Sequence, residues 1–333
     1  MREAIETARE QVSALLGVRP LQVVFTSGAT EAVHAAVWAA TWDRPGAAVL
    51  CAGVEHSSVR ASSGRLAPLV ELPVDAVGRI DPDGVDAALE RSGGAVSLVH
   101  CQWANHEVGT VQPVAEVVER CRRAGVLVHA DAAAACGHLE LDLDHGPDFV
   151  SVSAHKLGGP SGIGALVLRR GLRAEPLFVG GLQERARRAG LENVCGIVGF
   201  GAAAGALADG ALGDEAGAAR AETAGVAQAV LAVPGTVQVG DPDDRVPHIV
   251  CFGVEGVEAE PVLLGLDRAG IAVHSGSACA SEALEPSPVL EAMGADPNHS
   301  LRVSVGWSTT DDDVRAFAAA FERVVAELRA LRA

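Results

Sequence analysis

The chain contains no tyrosine, and aromatic residues make up only 3% of its 333 positions. Set beside abundant Ala, Gly, Val and Arg, that scarcity reads as genome composition and carries no functional message. The seven cysteines are an odd number, and no two stand in Cys-x-x-Cys spacing. A disulfide framework and a zinc knuckle are thereby excluded, so a cysteine with a role here acts as a thiol. Apolar residues reach 49%, yet Gly, Pro, His or a charge interrupts every apolar run short of a membrane span. No basic stripe offsets the formal net charge of −17. The short clusters Arg122-Arg123 and Arg185-Arg187-Arg188 do not make a nucleic-acid surface. The opening Met1-Arg2-Glu3-Ala4-Ile5-Glu6 has no apolar signal core. The expectation is a cytoplasmic protein with neither membrane nor nucleic acid as partner.

What the chain does have is alternation. Ile5, Ala8, Val12, Leu15 and Leu16 recur at helical spacing and Gly17 supplies a left-handed stop, which predicts an opening amphipathic helix. Short apolar strands follow at 21–25, 47–51, 95–102, 126–130 and 149–153, with helices at 31–40, 82–89 and 113–124 between them; 164–168 is placed beside the last strand, antiparallel. Such a pattern predicts an α/β large domain, residues 1–208, built on a doubly wound, mostly parallel sheet. After Gly180-Gly181 the texture changes. An Ala/Gly-rich helix at 194–208, a hinge at 210–216 and a long helix at 218–230 precede a smaller C-terminal α+β domain, residues 209–333. Its expected strands lie near Val237 and at 248–252, 271–274 and 301–305, and its closing helix at 310–331.

In doubly wound sheets ligands sit at the carboxyl ends of the strands. His56, Asn105-His106, Asp131 and Ser153-Ala154-His155-Lys156 all fall at such ends. A lone strand-end lysine ordinarily snorkels to solvent. Lys156, if burial and neighbouring cations lower its pKa, can instead attack a carbonyl and hold a cofactor as a Schiff base. Ser27-Gly28-Ala29-Thr30 ahead of a helix outlines an anion site, where free amides and the helix dipole favour a phosphate. An acid such as Asp131 would keep a pyridine nitrogen protonated. These are the parts that a pyridoxal phosphate enzyme needs.

Together the motifs resemble a family. Phe25-Thr26-Ser27-Gly28-Ala29-Thr30-Glu31, Glu55-His56, His129-Ala130-Asp131-Ala132, Ser153-Ala154-His155-Lys156 with Gly159-Pro160, Gly162-Ile163-Gly164-Ala165-Leu166 and Ser275-Gly276-Ser277-Ala278-Cys279 match, in order, the cysteine desulfurases of the class V aminotransferase group. The resemblance runs nearly end to end. It implies the fold type I pyridoxal phosphate transferase architecture, pyridoxal 5'-phosphate as cofactor, L-cysteine as substrate, a sulfur-acceptor protein as partner, and a homodimer. By the same resemblance Lys156 bonds the cofactor and Asp131 pairs with its ring nitrogen. Ala29, Thr30, Ser153 and His155 would hold its phosphate, while His56 would stack on its ring. Arg302 would bind the substrate carboxylate, with Asn105 beside it. Cys279 would take the substrate sulfur as a persulfide, and its loop resembles that of the long-loop branch. Cys51, Cys101, Cys136, Cys195 and Cys251 suit a buried structural role instead.

The chain departs from the family at four places. His106 stands where the family has Asn, although imidazole can donate the same bond to the cofactor's phenolic oxygen. Ala134 replaces a Gln that donates to the same oxygen. Leu191 replaces a Thr that touches the neighbouring subunit's phosphate. The usual segment before the first long helix, with its Asp-Asn-Ala-Ala-Thr-Thr run, is missing, which leaves the expectation of a more open site or a borrowed part. Two other readings stay open: a C-S lyase or aminotransferase of the same fold, and a degenerate sulfur carrier or scaffold.

Overall fold

The computed structural model describes residues 1–275 and 286–331, which divide into two units. The first contains residues 1–73, 80–104 and 112–212. Its elements in chain order are α1 (Arg2–Leu15), β1 (Val23–Thr26), α2 (Ala29–Thr41), β2 (Ala48–Ala52), α3 (Ser57–Leu66), β3 (Leu69–Leu72), α4 (Pro82–Arg91), β4 (Val96–His100), α5 (Val114–Ala124), β5 (Leu127–Asp131), β6 (Phe149–Ser153), β7 (Gly164–Leu168) and α6 (Val194–Ala206).

Seven strands form one sheet in the order β1-β7-β6-β5-β4-β2-β3. Strands β6, β5, β4, β2 and β3 run parallel, β7 is antiparallel to β6, and β1 is antiparallel to β7. Strand β1 therefore points the same way as β6. Thr26, Ala52, His100, Asp131 and Ser153 thus end their strands along one edge. Period-2 alternation decides which face each side chain joins. Val150 and Val152 pack with Ile5, Ala8 and Val12 of α1 and Ile197 and Phe200 of α6, whereas Phe149 faces the opposite core with Val33 and Val37 of α2 and Val59 of α3. The edge strand β3, with Leu69 exposed, is too short and half-solvated to give a hydropathy signal.

The glycines of α6 have a packing reason. A Cβ on Gly201 would lie 2.6 Å from Ala8 of α1, so only glycine lets these two helices approach so closely. The helical run from Val194 to Leu231 has a mean hydropathy of 1.5 in its most apolar window, enough by length and composition for a membrane span and longer than the sequence reading allowed. It is not one rod. Gly210 sits at φ 110° and breaks it into α6 and α7 (Leu212–Leu231), confining the expected hinge to a single residue. Helix α6, at about 1.5 Å per residue, is some 20 Å long, and α7 carries Asp214, Glu215, Arg220 and Glu222.

The second unit contains residues 74–79, 105–111 and 213–333, of which 276–285 and 332–333 lie outside the described residues. It is built from β8 (Thr236–Val239), β9 (Ile249–Val254), α8 (Ala259–Arg268), β10 (His274–Ser275), α9 (Pro288–Ala292), β11 (Ser300–Ser304) and α10 (Asp311–Ala330), together with most of α7. Its described strands pair antiparallel in the order β10-β11-β9-β8. The strand expected over 271–274 is His274–Ser275, since among the described residues of this stretch those two pair with β11. Helix α10 starts at a capping box in which Thr310 Oγ1 accepts from Asp313 N and Asp313 Oδ2 accepts from Thr310 N.

Candidate active site

In the first unit the strand ends set out most of the expected residues. Register places Thr26 beside Gly164, and Gly164 beside Ser153. A Cβ on Gly164 would lie 2.5 Å from Val152 O and 2.8 Å from the backbone of Gly28. Only glycine at this position lets the start of α2 lie against the sheet edge. Gly28 caps α2 without a side-chain acceptor, and the first intrahelical bond runs from Ala32 N to Gly28 O. The amides of Ala29 and Thr30 therefore lack a helical acceptor, as an anion site requires.

Ser153 and Lys156 lie on and just after β6, in the strand and the single turn Ala154–Leu157 that ends at Gly158 with φ 84°. Ser153 Oγ is 2.9 Å from His155 Nδ1. Partial desolvation, then the charge of Lys156, holds His155 below the ordinary imidazole range. Lys156 is exposed and makes no ion pair among the described residues. The burial expected of it is not supplied by its own unit.

Asp131 ends β5 directly beside Ser151 in the ladder and is 8% exposed. Its Oδ1 accepts from Ala133 N at 3.0 Å and from Ser151 Oγ at 3.1 Å. Ala134, buried three residues on, offers no side-chain donor. His56 is the N-cap of α3: its Nδ1 accepts from Ser58 N at 3.1 Å and lies 2.8 Å from Ser58 Oγ. A neutral ring so held carries its proton on Nε2.

The donor set fits a phosphorylated pyridine. Uncapped helix amides with Thr30 and Ser153 hydroxyls suit the phosphate, a carboxylate suits a ring N–H, and an amine without an ionic partner suits a carbonyl.

The other expected residues belong to the second unit. Asn105 is fully buried and its Oδ1 caps its own loop, accepting from Glu107 N and Val108 N at 2.8 Å each. That loop is threaded into its unit: Thr110 Oγ1 donates to Val77 O at 2.7 Å and accepts from Asp241 N at 3.0 Å. His106 Nε2 lies 3.5 Å from Glu107 Oε1, and the His106 carbonyl accepts from Arg302 Nη1 at 3.1 Å. Glu107 Oε2 in turn accepts a buried bond from Ser287 Oγ, 2.5 Å away. Cys279 and the loop around it lie outside the described residues. Among the other cysteines, Cys51, Cys101, Cys136 and Cys251 are buried as expected, but Cys195 is exposed, at the first turn of α6.

Sequence reasoning missed Glu184 and its pairing with Arg9. Glu184, 5% exposed, holds Arg9 through both oxygens at 2.7 and 2.8 Å and accepts from Phe25 N at 2.9 Å. Glu184, Arg185 and Ala186 all have positive φ, at 48°, 59° and 61°. Arg188 meanwhile pairs with Glu31 at 2.9 Å. A buried arginine at position 9 of an amphipathic helix was the available signal, since an unpaired charge is not left inside a core.

A sheet edge that offers an open lysine, a carboxylate and an uncapped helix start is the edge of a pyridoxal phosphate enzyme, and comparison with known proteins supports that class. The family model "Aminotransferase class-V" matches residues 1–317. A cysteine desulfurase of Cereibacter sphaeroides is 40% identical over 98% of this chain and 86% of its own length. Of the solved structures, a NifS-like protein superposes with a TM-score of 0.89 at 27% identity, over 98% of this chain and 88% of that one. A protein described as SspA in complex with cysteine gives 0.78 at 27%, over 91% and 87%. The chain belongs to the class V aminotransferase family and, within it, to the pyridoxal phosphate-dependent cysteine desulfurases.

Proposed function

We propose that this chain converts L-cysteine to L-alanine, with the sulfur atom passed first to Cys279 and then to an acceptor protein. The reading is carried by Lys156, which stands at the same sheet edge as the Asp131 carboxylate and the uncapped start of α2. Lys156 would hold pyridoxal phosphate covalently through Nζ. Ala29 N, Thr30, Ser153 and His155 would hold its phosphate, and Asp131 its ring nitrogen. When bound, that cofactor supplies an electron sink for charge at the substrate's Cα. His56, fixed at Nδ1 by Ser58, would present its Nε2 side to the ring. In the second unit Arg302 would bind the substrate carboxylate, and His106 would donate to the cofactor's phenolic oxygen. The Cys279 thiolate would attack the sulfur of bound cysteine: an S–S bond forms, the C–S bond breaks, and the carbon left behind takes up a proton to become alanine. SspA, the neighbour described as a complex with cysteine, supports a site of this kind for that amino acid.

Phe178, Val179, Leu182 and Leu191 are 45%, 75%, 86% and 81% exposed within one short segment. Such an apolar surface would be covered by the second copy of a homodimer.

The test is a visible spectrum of the purified protein with pyridoxal phosphate, before and after L-cysteine, with alanine and protein-bound sulfur assayed in the same tube. The expected result is a yellow band absent from Lys156→Ala, alanine equal to the sulfur released, and no turnover by Cys279→Ala with the band retained. Alanine formed normally by Cys279→Ala would overturn the persulfide step. Absence of any band with excess cofactor would overturn the enzyme reading.

A further inference from the structure

Behind Asp131 lies a line of buried polar groups that the sequence reading does not use. Ser151 Oγ is 3.1 Å from Asp131 Oδ1, and His129 Nε2 is 3.2 Å from Ser151 Oγ. His129 Nδ1 faces His100 Nδ1 at 2.8 Å, and His100 Nε2 is 3.0 Å from Ser63 Oγ. Ser63, His100, His129 and Ser151 are all 0% exposed. Strand register makes this line: His100 pairs with His129 across β4 and β5, and Ser151 pairs with Asp131 across β5 and β6. Residues 129 and 131 share a face by the period of two, and Ser63 of α3 covers that face.

Hydrogen-bond chemistry then dictates a direction. Two Nδ1 atoms 2.8 Å apart need one proton between them, so one ring donates and the other accepts. Burial keeps both rings neutral, holding His100 well below the ordinary imidazole range and His129 down at about 4. Each neutral ring has one N–H, so the protons along the line all point toward Asp131 or all point away. An ionised carboxylate has no proton to give. The line must therefore run toward it: Ser63 O–H to His100 Nε2, His100 Nδ1–H to His129 Nδ1, His129 Nε2–H to Ser151 Oγ, and Ser151 O–H to Asp131 Oδ1. Oδ1 also accepts from Ala133 N, whereas Oδ2 has no hydrogen-bond partner among the described residues.

We propose that Ser63, His100, His129 and Ser151 form a one-way chain of donors that fixes Asp131 Oδ1 and leaves Oδ2 as the oxygen that meets the cofactor's ring nitrogen. His100 and His129 are positioning residues: neither touches the reacting atoms, and both act through Ser151. The proposal rests on the reading of Asp131 given under Proposed function. Donors aligned head to tail polarise one another, so the carboxylate is held in one orientation by more than a single hydrogen bond.

The experiment is nitrogen-15 NMR of the full chain with labelled histidine, before and after loading with pyridoxal phosphate, read beside the cofactor's dissociation constant in variants. His100 is expected to carry its proton on Nδ1 and His129 on Nε2, with His100→Phe and His129→Gln giving the assignments. Ser151→Ala should release His129 from the single Nε2–H form and weaken cofactor binding on the order of tenfold, and Ser151→Thr, which keeps the hydroxyl, should restore both. Reversed tautomers in the unmutated protein would overturn the chain outright, whether or not any variant folds. Normal cofactor binding by Ser151→Ala, with strong loss in Asp131→Ala, would overturn its positioning role. Normal binding by Asp131→Ala as well would overturn the assignment of Asp131 to the ring nitrogen, while the tautomers still report on the chain itself.

Discussion

Lowering the pH from 7 to 5 should destabilise the first unit specifically through the two imidazoles buried between β4 and β5. In the unfolded chain His129 titrates near the ordinary value of 6.5; in the fold desolvation outweighs the attraction of Asp131 and brings it to about 4. The folded-state value is the lower one, so between pH 6.5 and 4 the unfolded chain binds a proton that the folded chain refuses. Stability therefore falls as pH falls through that window and levels off below it. The full difference is about 3 kcal/mol for His129, of which about 2 kcal/mol is lost by pH 5. His100, shifted the same way by burial and by His129, adds to the loss. Urea unfolding at pH 7 and pH 5 measures this, followed by the fluorescence of Trp38, Trp42 and Trp103, which share the unit. The reference is His100→Gln/His129→Gln, whose amides still donate and accept but do not titrate. Wild type should lose at least about 2 kcal/mol more than the variant over this step. Equal losses would show that the two rings are protonated in the fold, and the reasoning would fail.

Three further outcomes follow from packing and backbone geometry. Glu184→Ala leaves the Arg9 guanidinium, 1% exposed, without its two-oxygen partner and with the Glu6 carboxylate at 3.4 Å, and leaves Phe25 N without its acceptor. It should cost about 3–5 kcal/mol in chemical denaturation, and a loss under about 1 kcal/mol would show the pair to be solvated. Ala186→Gly relieves a residue held at φ 61° and should raise stability by about 1 kcal/mol in the same assay; a decrease would mean that the methyl contributes packing. Gly164→Ala forces a methyl against Val152 O and Gly28, so it should destabilise by about 1–3 kcal/mol and loosen phosphate capture at α2. An unchanged dissociation constant for pyridoxal phosphate would separate that helix start from the anion site.

Several elements were legible because their signals are local. Strand β6 and its lysine turn were readable from a run of β-prone residues closed by glycines, and β7 as its antiparallel neighbour from the short link between them. The edge strand β3 was not, since its half-exposed residues carry little periodicity. The hinge was read over seven residues, 210–216, but the chain is helical through all of them and only Gly210, at φ 110°, departs from helical dihedrals. Cys195 was read as buried from its apolar neighbours, yet on a helix the neighbours in sequence face other directions.

Composition and motif spacing determined by themselves that this is an α/β protein with a lysine, an acid and a helix start at strand ends, because residue type and period are properties of the chain. Tertiary structure alone decided that His100, twenty-nine residues before His129, stands in register with it, and that Ser63 closes the line behind them. It also placed Asn105 and His106 in the same unit as Arg302, and sealed Arg9 onto Glu184 from 175 residues away. Such pairings depend on strand register and on which helix covers which face. Both are settled by packing between segments that no local pattern connects.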